Sequence, residues 1–387
     1  MLIRTPEYLI KINKMEALKN LLGYFVDWNQ KSLLIASLML FFIFPTAFSQ
    51  EPVTADESDN NGKIEIYNDE DWELFEEDTP LRFSLAFDRK LFRKNTMSGE
   101  YQPALLSIHL TDSIVERDIR IRARGISRKT ICTFPPIKLN LKDADLDNTQ
   151  LEQQSTLKFV THCKNSNLNQ KYLFKEYLVY KLYNVVTDYS LRVRLVQVDY
   201  IDSNQKQKTL TKYGFLIEHI DKLAERQNCV EVENEQLAQK WMSKEIMPLL
   251  CVFQYMIGNT DWSLAGLHNL KVLKSNNFAA TEPYPIPYDF DYAGLVDADY
   301  AVPTEGLGLE TVKERAYRCI CFEDETSIFK SVDLINSKKE ELYKVIEDFE
   351  FLEIKDKAFM FKYLDDYFGL IDNDKVIRRE MIDACLK

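Results

Sequence analysis

The stretch from Gln254 to Gly294, QYMIGNTDWSLAGLHNLKVLKSNNFAATEPYPIPYDFDYAG, constrains the fold more than any other. An apolar helical run around Ile246 to Ile257 stops at Gly258, and a loop carrying Asn259, Asp261, His268 and Asn269 follows. Leu270 to Leu273 and Pro285 to Phe290 read as two strands joined through the turn-rich segment Ser275 to Pro283. Antiparallel pairing sets the start of one strand beside the end of the other. Asn269 and Asp289 thereby become cross-strand neighbours roughly 5 Å apart. An amide oxygen beside the carboxylates of Asp289-Phe290-Asp291 is a hard-oxygen site suited to Mg²⁺ that keeps waters and binds phosphates. A polar loop whose Asp and Asn residues only cap turns is the alternative reading.

Around this segment the chain orders itself as strands, a helix, more strands, then helices. Leu81-x-Phe83-x-Leu85-x-Phe87 alternates, as does Ile119-x-Ile121, and Ile137 to Leu141 and Thr156 to Val160 are short strand-like runs. Tyr172 to Val186 carries the stripe Leu178, Leu182 and Val185 of an amphipathic helix. Strands at Leu191 to Tyr200 and Tyr213 to Glu218 follow, and helices include Ser337 to Phe349 and Asp356 to Phe368. The expected class is α+β, with a sheet-rich N-terminal half and a helical C-terminal half bearing the hairpin.

The N-terminus reads as a leader. Leu33 to Phe44 is almost wholly apolar, and the small residues Ala47 and Ser49 offer a cleavage site before Gln50. An uncleaved anchor is the rival reading. Cleavage implies an exported protein with no stable membrane span. Residues 1–49 are then signal peptide, and 50–78 an acidic linker and entry segment. Residues 79–218 form the β-rich part with one main helix, and 219–387 the helical part. Seven cysteines make disulfides possible and leave at least one thiol over, with Cys132 and Cys163 the first pair to expect. A net charge of −12 without a basic stripe argues against a nucleic-acid partner.

Other positions bear chemistry. Arg124-Gly125-Ile126-Ser127-Arg128 joins two strands, and a glycine there lets backbone amides approach a phosphate while the arginines add charge. A plain turn with solvated basic residues accounts for it as well. Lys158 lies in a strand and Glu176 on the following helix, in the order by which protein kinases pair a strand lysine with a helix glutamate. Lys138 is the rival lysine. Phe215 to Glu218 runs into His219-Ile220-Asp221, either a crossing whose backbone faces a base or a helix start capped by Asp221. Arg315 and Arg318 read as partners of nearby acids, or as phosphate-facing groups.

In series, these residues resemble the CotH family of kinase-like proteins, in a secreted Gram-negative branch. The matching stretches are Arg124-Gly125-x-Ser127-Arg128, the Lys138 strand, Lys175-Glu176-x-Leu178 and Tyr213 to Glu218. Gly258-Asn259-Thr260-Asp261-Trp262, His268-Asn269 and Asp289-Phe290-Asp291 complete them. The resemblance runs from about residue 80 to 320. It implies an atypical protein-kinase-like two-lobed fold and an exported kinase that moves phosphate from ATP to a protein hydroxyl with Mg²⁺ or Mn²⁺. By it, Asp261 orients or deprotonates the acceptor hydroxyl, Asn269 and Asp289 ligate the metal, and Asp291 is a second acidic ligand or a support. Lys158 or Lys138, Glu176, Arg124, Ser127 and Glu218 serve the nucleotide. The sequence departs from ordinary kinases in lacking Gly-x-Gly-x-x-Gly and His-Arg-Asp, and Asp289-Phe290 is followed by Asp291 rather than Gly. A catalytically inactive binding protein on the same scaffold is the alternative.

Overall fold

Alternation along Leu81–Phe87 places Phe83, Leu85 and Phe87 on one buried face, and that face becomes the inside of a barrel. The structure is a computed structural model describing residues 73–233, 237–277 and 279–386. The leader expected at 1–49, and the linker as far as 72, lie outside the described residues. A helical turn α1 (Glu73–Glu76) leads into β1 (Leu81–Phe87), α2 (Arg89–Lys94), β2 (Gln102–His109) and β3 (Ile114–Ala123). Then come α3 (Arg128–Ile131), β4 (Ile137–Asn140), β5 (Thr156–Val160) and the long helix α4 (Asn167–Val186). Strands β6 (Val193–Asp202) and β7 (Leu210–Ile217) complete the first sheet.

These seven strands close in the order β1-β2-β3-β4-β5-β7-β6. Every neighbouring pair is antiparallel except the seam, where β1 lies parallel to β6 from Leu81 opposite Val196 to Phe87 opposite Asp202. That seam removes both free edges of the sheet. The interior is filled by Phe83, Leu106, Ile121, Leu139, Phe159 and Val198, all fully buried. Gly214 is required where β7 passes β5, because a Cβ there would stand 2.5 Å from the Phe159 ring and 2.6 Å from the Val160 carbonyl.

The rest of the chain adds α5 (Ile220–Arg226), β8 (Cys229–Glu231), α6 (Ile246–Ile257), β9 (Leu270–Ser275) and β10 (Tyr284–Pro287). Helices α7 (Thr326–Ser337), α8 (Lys339–Glu347), α9 (Ile354–Ile371) and α10 (Asp374–Ile377) follow. Every residue of α6 is buried, as expected of a helix that is apolar all round and forms the centre of its layer. Gly258 caps it in the left-handed conformation, φ 65°. Strands β10, β9 and β8 make a separate three-stranded sheet.

The architecture is therefore a closed seven-stranded mixed barrel joined to helices, and the two-lobed kinase-like fold expected from the resemblance is corrected. The order of elements is close to that read from the sequence. What differs is the return of β6 beside β1, a pairing between distant segments that turns a sheet with edges into a barrel.

Disulfides join Cys132 to Cys163, Cys251 to Cys319 and Cys321 to Cys385, and Cys229 is a buried free thiol. The first is the pair expected from sequence. Among the described residues no helix is long and apolar enough to cross a membrane. Both observations are compatible with an exported protein.

Candidate functional site

The turn after β3 passes through Gly125 (φ 87°) and sends Arg128, the first residue of α3, into the protein. The residue is only 6% exposed, and its guanidinium gathers three carboxylates. Nη2 donates to Glu176 Oε2 at 2.7 Å and to Asp289 Oδ1 at 3.2 Å, and Nε donates to Asp291 Oδ2 at 2.9 Å. Glu176 comes from the buried face of α4, and both aspartates follow β10. The Tyr300 hydroxyl also donates to Asp291 Oδ2, at 3.1 Å. Glu176 Oε1 is buried with no hydrogen-bond partner among the described residues.

Three carboxylates on one guanidinium leave surplus negative charge in a dry place. Burial pushes the Glu176 carboxyl well above the usual carboxylate range, against the pull of Arg128 and with help from Asp291 and Asp289. Burial raises Asp291 for the same reason, again opposed by Arg128. Arg128 stays charged: the three acids overcome its own burial and raise its pKa. Asp289 is the outlying member, its side chain 41% exposed. Its backbone is left-handed (φ 63°), a conformation Asp tolerates, and its N–H donates to the Tyr180 hydroxyl at 2.7 Å.

On the outer face of the barrel a row of cations approaches the same aspartate. Arg122 of β3 opposes Lys138 of β4, which in turn opposes Lys158 of β5. The two rival lysines are thus cross-strand neighbours, and the charge of Arg124 acts on both. Burial, then Arg124 and Lys271, bring Lys158 down to about 8, while Glu231 and Asp289 pull the other way. Its ammonium lies 5.4 Å from the centre of the Tyr288 ring. Burial first, and then the neighbouring cations, lower Lys138 as well.

The hairpin brings Asn269 beside these groups. Leu270 pairs with Pro287, and the Tyr288 N–H donates to the Asn269 carbonyl at 3.1 Å, so Asp289 is the next residue along. Asn269 is left-handed (φ 53°) and its amide nitrogen donates to Asp261, at 2.7 Å to the carbonyl and 3.0 Å to Oδ2. His268 Nε2 meets Asp261 Oδ1 at 2.8 Å. Tyr292 stands between this trio and the Arg128 cluster: burial raises its hydroxyl pKa, and the charges of Asp291 and Asp261 raise it further.

The remaining candidates lie elsewhere in the arrangement. Ser127 is exposed, its carbonyl accepting from Thr130 Oγ1 at 2.7 Å. Glu218 is buried just after β7, takes the Arg192 N–H at 2.9 Å and is clasped by Arg226 at 3.1 and 3.3 Å. Arg315 donates to the Met256 and Tyr363 carbonyls and ties α6 to α9, while Arg318 donates to those of Thr260 and Trp262 and braces the Asp261 loop. The residue that organises the centre, Arg128, stands in the sequence as the last residue of the Arg124-to-Arg128 turn. Glu176 meets this arginine and neither lysine.

Among the described residues no group of three or more His, Cys, Asp or Glu side chains is arranged to hold a metal ion. Two oxygen acceptors are the candidates to hold a hydrated cation. One is the half-exposed Asp289 carboxylate. The other is Asn269 Oδ1, the acceptor end left once the amide nitrogen is committed to Asp261. No family model matches this chain, and no curated protein matches it.

Proposed function

We propose that this chain is an exported phosphotransferase of CotH-like type, acting in the periplasm or at the cell surface. It moves the γ-phosphoryl group of ATP to a protein hydroxyl with Mg²⁺ or Mn²⁺. The observation that carries the reading is the position of Asp289: bonded to Arg128 on one side, exposed on the other, and within reach of the charge on Lys158. Phosphoryl transfer asks the protein mainly for positioning and charge neutralisation, and this junction of cations and carboxylates supplies both. Lys158, Lys138 and Arg124 face the phosphates. Asp289 and Asn269 hold the metal, which neutralises charge on the phosphate oxygens when bound. Asp291 and Glu176 hold Arg128, and Asp261 orients the acceptor.

One observation favours a second reading, an inactive binding protein. Arg128 already bridges Asp289 and Asp291, the two acids assigned to a cation by the resemblance. The test mixes the protein with Mg²⁺ or Mn²⁺ and ATP labelled at the α or γ phosphate, beside Asp289→Asn and Asp261→Asn proteins. Transfer of γ label to the protein or to casein, lost in both variants, is the expected result. Transfer of α label would change the reaction to nucleotidyl transfer. No transfer and no nucleotide binding would leave the binding protein.

A further inference from the structure

The loop between α6 and β9 holds a basic group with no role in the preceding scheme. Both oxygens of Asp261 are occupied, Oδ1 by His268 Nε2 at 2.8 Å and Oδ2 by Asn269 Nδ2 at 3.0 Å. A carboxylate only accepts, so Nε2 carries the proton and the imidazole keeps the tautomer whose Nδ1 has the lone pair. The His268 side chain is 57% exposed, against 32% for Asp261. The outermost basic atom of the pair is therefore on the ring.

The ring is also held in place. Ser263 and His268 exchange two backbone hydrogen bonds, at 3.0 and 2.9 Å, that close residues 263–268 into a tight loop. Leu267 and Asn269, on either side of His268, take left-handed backbone at φ 51° and 53°. Arg318 anchors the entry to the loop through the Thr260 and Trp262 carbonyls. An imidazole fixed by a carboxylate at one nitrogen and open at the other is the arrangement that activates hydroxyl nucleophiles.

We infer that His268 is the general base of the phosphoryl transfer, with Asp261 as its positioning partner; the inference rests on the phosphotransferase reading. Nδ1 takes the proton of the acceptor hydroxyl as that oxygen bonds to the γ-phosphorus of ATP. The bond from that phosphorus to the β,γ-bridging oxygen breaks, and its electron pair leaves with ADP. The imidazolium then releases its proton to water. The experiment follows γ-label transfer to casein by the full chain, its His268→Gln variant and its His268→Gly variant with and without added imidazole. Binding of ATP with Mg²⁺ is measured on each by thermal shift. His268→Gln should bind ATP within about twofold of wild type and transfer label roughly 10²–10⁴-fold more slowly. Imidazole should restore part of the rate to His268→Gly. Transfer by His268→Gln at the wild-type rate, or no rescue of His268→Gly by imidazole, overturns the inference and leaves the phosphotransferase reading intact. Absence of both transfer and ATP binding in wild type overturns both. Nitrogen NMR of the ring gives a readout apart from activity: protonation at Nε2 is expected, and protonation at Nδ1 would refute the assignment.

Discussion

Among the described residues two arginines are buried, and they are buried differently. Arg194, 2% exposed, donates to the Leu74 carbonyl at 3.2 Å, to Glu77 at 2.9 Å and to the neutral oxygens of Thr79 and Gln150. One acid answers one guanidinium, and that acid is 55% exposed. Arg128 meets three carboxylates, two of them buried. The first is a balanced clasp fastening the segment before β1 to the barrel wall. The second sets three carboxylates against one guanidinium, and burial raises the proton affinity of the two buried ones, Glu176 and Asp291.

The comparison breaks most directly by removing each guanidinium. Arg128→Met strands buried carboxylates and should destabilise the protein by about 3–5 kcal/mol. Arg194→Met leaves a buried carbonyl without its donor and an acid that can reach water, a loss of about 1–3 kcal/mol. Urea unfolding of both variants at neutral pH measures the gap. Equal losses would mean that the surplus at Arg128 has no energetic consequence.

A cation should help one centre and not the other. With ATP present, Mg²⁺ at about 100 times its Kd should raise stability by roughly 2.7 kcal/mol. Asp289→Asn should abolish the gain, whereas Glu77→Gln, at the balanced clasp, should keep it. A calorimetric melting shift that survives in Asp289→Asn would move the metal away from this aspartate.

Protons should tell the two apart as well. Folded Glu176 binds its proton more tightly than the unfolded chain does. Its contribution to stability is complete below about 4.5, the ordinary glutamate value, and is lost as pH rises through its elevated folded value. Each tenfold tightening of proton binding is worth about 1.4 kcal/mol. Glu176→Gln imitates the protonated acid. It should match wild type near pH 4.5 and exceed it at pH 8, with the slope between largely gone. Parallel melting curves for the two proteins across that range would show Glu176 to be ionised throughout.

How much of this could be read beforehand depends on how local each signal is. The β1 alternation, the Thr156–Val160 strand and helix α6 with its Gly258 stop are written in adjacent residues and appear where the sequence sets them; the hairpin appears too, but its second strand is Tyr284–Pro287 and stops short of the expected Phe290. Strand β2, with Pro103 in its run and weaker alternation, gives no such signal, and the β1–β6 seam depends on distant residues that no window contains. The same holds within the site. A hairpin near Asn269 is legible, but its register is one residue off the expected one: Tyr288, not Asp289, stands opposite Asn269. Which of Arg124 and Arg128 turns inward is decided by the Gly125 turn and the start of α3, and so Glu176 meets Arg128 although the sequence offers two lysines. The expected kinase-like lobes failed at the seam, not in the elements.

The smallest effect concerns the cation row, and its sign is opposite to the others. Burial brings Lys158 down to about 8, so its stabilising contribution is complete above 10.5 and is lost as pH falls through 8. At pH 7 the protein carries a charged lysine in surroundings that disfavour it. Lys158→Met keeps the length of the side chain without the charge and should raise stability at pH 7 by about 1 kcal/mol, with the difference shrinking toward pH 10. The same substitution should weaken ATP binding, because an anion is what would make the charge favourable. Arg194→Met offers no such exchange of stability for binding. If Lys158→Met loses stability and leaves ATP affinity unchanged, the row is an ordinary barrel surface, and the phosphates must be sought closer to Arg124.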